Sequence, residues 1–79
     1  MNVDLKDMEG TTGWNEYAPW SESPMQFGWG IALTRAQACS SLNGGEIRVV
    51  SEEEIQGAVT YYTLYAGDRK IASRVKYNY

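Results

Sequence analysis

Three groups of side chains carry the chemistry open to this chain. Trp14, Glu16, Tyr17 and Trp20 gather large aromatics and an acid in the first third. Glu52, Glu53 and Glu54 form an unbroken acidic run. Arg69, Lys70, Arg74 and Lys76 sit near Tyr62, Tyr65 and Tyr77. Aromatics beside acids suit contact with another protein, because Trp and Tyr dominate interface energies and charge complementarity selects partners. Bases among aromatics on a sheet suit single-stranded nucleic acid. Each group also has a plainer reading. The aromatics fill the core of a domain too small to spare them. The glutamates are a solvated loop or helix start, and the basic hairpin is an edge strand guarded by charge. A net charge of −3 and the lack of the RNA-binding aromatic signature weigh against nucleic acid.

Several functions are excluded by what is missing. There is no histidine, so Ser–His–Asp and Cys–His systems are impossible. Cys39 is the only cysteine and cannot form a thiolate cage or an internal disulfide. It is expected to be a small buried hydrophobe. The run at 52–54 lacks the alternating Asp/Asn of a calcium loop. Gly28-Trp29-Gly30 is too short to cradle phosphate, and Asn43-Gly44-Gly45 ends a helix instead of opening one. No catalysis, metal or cofactor is expected. The start of the chain is acidic without an apolar stretch, and no segment approaches a membrane span, so a cytoplasmic protein is expected.

The acidity lies in the first third: up to Pro24, Asp4, Asp7, Glu9, Glu16 and Glu22 oppose Lys6 alone. The breaker clusters Gly10-Thr11-Thr12-Gly13 and Ser21-Glu22-Ser23-Pro24 leave no period there. Residues 1–24 therefore read as an irregular acidic arm bearing aromatics, and residues 25–79 as a single α+β domain. Met25, Phe27, Trp29, Ile31 and Leu33 alternate with smaller residues, which predicts a strand. Thr34 and Gln37 fit a capping box, so a short helix is expected over 34–42, stopped by Asn43-Gly44-Gly45. Residues 46–50 read as a strand, and Ser51-Glu52-Glu53-Glu54 as a possible helical turn. The β-branched and aromatic run from Gly57 to Ala66 is a strand. Gly67-Asp68 turns it into a partner over 70–77, completing a hairpin. The resulting class is α+β: an antiparallel sheet of about four strands with one short helix packed on a face.

The helix at 34–42, the strand at 46–50 and the hairpin at 57–77 give a layout that resembles the small anti-CRISPR proteins of phages and mobile elements. The resemblance is one of size, acidity and layout, and no motif carries it. It implies a non-catalytic inhibitor, made by a phage and acting in the host cytoplasm. Such a protein binds a CRISPR effector complex and blocks its recognition of target DNA, sterically or by DNA mimicry. On this expectation Trp14, Glu16, Tyr17, Trp20, Glu52, Glu53 and Glu54 are the contact candidates. Two alternatives remain open. One is a nucleic-acid-binding module using Arg69, Lys70, Arg74 and Lys76. The other is a structural phage protein that self-associates through a sheet edge. A monomer or a homodimer fits the chain equally.

Overall fold

Val, Thr and Tyr favour the half-buried pleated surface of a strand. The stretch richest in them, β5 (Val59–Ala66), lies inside the sheet. The computed structural model describes residues 1–18 and 20–78, leaving Pro19 and Tyr79 outside. Around β5 it places β1 (Asn2–Val3), β2 (Trp14–Glu16), β3 (Gln26–Phe27), β4 (Ile47–Glu54) and β6 (Arg69–Tyr77), with one helix, α1 (Trp29–Asn43). The strands form one sheet in the order β1-β4-β5-β6-β2-β3, and every neighbouring pair is antiparallel.

The class is α+β as expected, but the sheet has six strands. The additional ones, β1 and β2, come from the acidic first third, which also holds a 3₁₀ turn at Leu5–Met8. The remaining described residues of that third are irregular, as its breaker clusters predict.

The strand expected from Met25 is corrected to two residues of β3 followed by helix. Its alternation hides a helical spacing. Trp29, Ala32 and Ala36 are buried, with Leu33 packed against them, on one face of α1. The alanines let the helix lie close to the sheet, while Ile31, which alternation grouped with the core, is 54 % exposed. The capping box at Thr34 is likewise not formed. The helix starts one and a half turns earlier, with Gly28 at its N-cap. There the Trp29 N–H donates to the Thr11 carbonyl at 3.0 Å. The Thr34 hydroxyl instead bonds back to the Gly30 carbonyl at 2.9 Å. The stop is where the glycines place it: the Gly44 N–H donates to the Ser40 carbonyl at 2.8 Å, with φ at 73°.

The helical turn at 51–54 is also corrected. β4 runs on through Glu54, in unbroken register from Ile47↔Ala66 to Glu54↔Val59. Cross-strand pairing with Tyr61, Thr60 and Val59 outweighs a local cap. The turn that follows is strained. Ile55 and Gln56 both adopt left-handed φ, 56° and 55°, and Ile55 is 72 % exposed. A β-branched residue is a poor occupant of that region. Ile55→Asn is therefore expected to raise stability by about 1 kcal/mol. A thermal melt should show a gain of a few degrees. An unchanged or lower Tm would show that the side chain is needed there.

The second hairpin turns at Gly67, whose φ of 61° suits the first position of a type II′ turn. A bulge then shifts β6, with Tyr65 opposite Lys70 and Leu64 opposite Ala72. Ile71 is the extra residue and packs against the core. Thereafter Ala72 faces the helix, and Ser73, Val75 and Tyr77 face away from it. β6 is not an edge strand, because β2 pairs with it through Asn15↔Ser73 and Glu16↔Ala72.

The core lies between α1 and one face of the sheet. It joins Trp14, Phe27, Trp29, Ala32, Ala36, Val49, Leu64 and Ala72, with Met8 from the 3₁₀ turn. The rings of Trp14 and Trp29 stand 5.2 Å apart at 45°. Among the described residues no helix is long and apolar enough to cross a membrane.

Candidate protein-binding face

Because side chains alternate across a strand, the register fixes what the face away from α1 displays. β4 contributes Arg48, Val50, Glu52 and Glu54. Opposite them on β5 stand Tyr65, Thr63, Tyr61 and Val59, the last of them buried. β6 adds Lys70, Ser73, Val75 and Tyr77. The buried strand residues that pack with α1, Val49, Leu64 and Ala72, all lie on the other face, so among the described residues no helix packs on this one. Tyr61 and Val75 are each 37 % exposed, and Tyr77 is 63 % exposed. Tyr17, just beyond β2, is exposed beside Lys70, whose ammonium lies 5.4 Å from its ring. Arg48 lies over the Tyr65 ring at 4.3 Å. Each cation is thus held against a tyrosine, which fixes the ring and the charge together.

The contact candidates named from sequence divide. Trp14 is fully buried and offers no surface to a partner. Its indole N–H donates to the Thr11 hydroxyl at 2.9 Å. Glu16 faces the helix side, where its carboxylate pairs with Arg35 at 3.1 Å. Arg35 also lies over the Phe27 ring at 4.9 Å. Tyr17 and Trp20 are exposed, Trp20 to 81 %. The glutamates are all exposed but do not act as one patch. Glu52 and Glu54 stand on the tyrosine face, and Glu53 on the opposite one.

The basic group also divides. Lys70 is on the tyrosine face, and Arg74 and Lys76 are on the helix-side face. Arg69 sits at the turn. Arg74 Nε–H donates to the Thr12 carbonyl at 2.8 Å, tying the arm to β6. These four do not form a single nucleic-acid groove. Cys39 is half-buried, not enclosed. Among the described residues no three of Cys, Asp and Glu are grouped to hold a metal ion.

The sequence alone does not mark Arg48, Tyr61, Tyr65 and Tyr77 as one face. The signal was present in Tyr61-Tyr62-Thr63-Leu64-Tyr65, where adjacent tyrosines must point to opposite sides. Which side the helix would cover was not.

Compared with known proteins, the chain matches no family model, no curated protein and no solved structure.

Proposed function

We propose that this chain is a non-catalytic protein-binding domain that meets its partner with the tyrosine face of its sheet. The observation that carries this reading is the row Tyr17, Tyr61, Tyr65 and Tyr77, left without a covering helix and interleaved with Thr63, Ser73 and Asn15. Tyrosine supplies large, rigid contact area at low entropic cost, and small hydroxyl and amide side chains adapt to a partner's polar groups. Two cations and two carboxylates on the same face balance one another, as a protein-contact surface allows.

The more particular reading is an anti-CRISPR-like inhibitor, with a CRISPR effector as the partner. It rests on the resemblance in size, acidity and layout, and it gives Glu52 and Glu54 the task of meeting a basic surface on that effector.

The second reading, single-stranded nucleic acid, draws support from the Arg48–Tyr65 and Lys70–Tyr17 pairs. Against it stand the net charge of −3 and the two glutamates on the same face. Affinity capture with and without nuclease separates the two. A stoichiometric protein retained through nuclease is the expected result. Bound material that nuclease removes would transfer the function to nucleic acid.

A further inference from the structure

The helix covers only part of its own side of the sheet. Val49, Leu64 and Ala72 lie beneath it. Beyond them the same face continues in two cross-strand rows, Ser51–Tyr62–Arg74 and Glu53–Thr60–Lys76. These rows, with Asp7 and Met8 of the 3₁₀ turn, line an open cleft of about 550 Å³.

Charge is divided across this cleft. Arg74 and Lys76 stand on β6. Glu53 stands on β4, two strands away, or about 10 Å at ordinary strand spacing. Asp7 adds a second carboxylate. Arg74 is held in place by its Nε–H bond to the Thr12 carbonyl, and its guanidinium carbon lies 6.0 Å from the Tyr62 ring. Its two terminal NH₂ groups have no acceptor among the described residues, and none of these four charged groups is in an ion pair there. Between the charges lies buried Thr60, whose hydroxyl accepts from the Asn78 amide at 2.8 Å.

We infer that the cleft binds a short dipolar molecule, its carboxylate at Arg74 and Lys76 and its ammonium at Glu53. The planar fork of an arginine matches a carboxylate in geometry as well as charge. A ligand with one sign alone meets repulsion at one end: phosphate faces Glu53, and an amine faces Arg74 and Lys76. An extended tripeptide, at about 3.4 Å per residue, is as long as the spacing between β4 and β6, across which the flexible charged side chains reach. A six-carbon ω-amino acid also reaches between the two walls. The cleft lies on the face opposite the exposed tyrosines, so it stands or falls independently of the protein-binding reading.

The test is a titration of the full ¹⁵N-labelled chain, followed residue by residue by NMR. The dipolar probes are triglycine and 6-aminohexanoate. The controls are hexanoate, hexylamine and inorganic phosphate. Both dipolar probes are expected to shift the amides of Ser51, Glu53, Thr60, Tyr62 and Lys76 at millimolar concentration. Each control should bind several-fold more weakly, up to about fivefold, the loss that goes with one exposed ion pair. Tighter triglycine would mark a peptide end as the natural source, and tighter 6-aminohexanoate a free ω-amino acid. Lys76→Gln, at an exposed position, should weaken both dipolar probes. Glu53→Gln should weaken them as well but strengthen phosphate. The inference is overturned by phosphate or hexanoate binding as tightly as the dipolar probes. Shifts unchanged in both variants, or no shifts with any probe at about 50 mM, far above a millimolar Kd, would overturn it equally.

Discussion

Gly45→Ala is expected to destabilise the domain by about 3 kcal/mol, among the largest losses a single methyl group can cause here. Gly45 holds φ at 106°, where an L side chain is strained in any surroundings. Its new Cβ would also lie 2.6 Å from Gly67 Cα and 2.8 Å from Gly67 N. Both are backbone atoms and cannot rotate away. That close approach locks the exit of α1 to the β5–β6 turn, where the Gly67 N–H donates to the Glu46 carbonyl at 2.9 Å. Arg48 also reaches the Gly67 carbonyl, at 3.3 Å. Thermal unfolding by circular dichroism should show a Tm lower by about 10 °C or more. Gly30→Ala is the control. It sits in the helix with nothing within 4 Å of an added Cβ, and should gain about 0.5–1 kcal/mol. Equal melting of Gly45→Ala and the parent would contradict the packing described.

Trp14→Ala is expected to cost about 3–5 kcal/mol, a large share of the whole stability of a small domain. The side chain is fully buried, stacks near Trp29 and donates a hydrogen bond to Thr11. Truncation leaves a cavity between β2 and the start of α1 and removes that bond. Urea unfolding should show a midpoint displaced strongly downward, or no cooperative transition at all. Trp14→Phe keeps a ring in place and should fall between the two. A Trp14→Ala variant as stable as the parent would mean that the first third does not share the core.

The elements legible in the sequence were those with strong local signals. The β-branched run of β5, the Gly67-Asp68 turn and the glycine stop of α1 each rest on the backbone preference of a few residues. The errors arose where tertiary partners decide. The stretch from Met25 to Leu33 satisfies a two-residue and a helical period at once. The Thr11 carbonyl that receives the Trp29 N–H favours the helix, and that carbonyl is far away in sequence. Glu52 to Glu54 have poor strand propensity, and they are extended because Tyr61, Thr60 and Val59 pair with them. β1 and β2 are two and three residues long. No period is visible at that length, and their places come from β4, β6 and β3. The candidate site was partly legible. Of the contact candidates read from sequence, Tyr17, Glu52 and Glu54 lie on the tyrosine face. Trp14 was named for its size, and size equally suits the core. The bulge at Ile71 decided which side of β6 would be exposed, and a bulge leaves no mark in composition.

The protein contact proposed for the tyrosine face is open to direct test. The most direct measurement is affinity capture after nuclease treatment, with the parent chain and a Tyr17→Ser/Tyr61→Ser variant side by side. Both positions are exposed on that face, so the variant should melt within a few degrees of the parent, as surface substitutions do. The predicted result is a stoichiometric protein partner held by the parent and lost by the variant, while folding is unchanged. Equal retention of the same partner by a folded variant would contradict the claim.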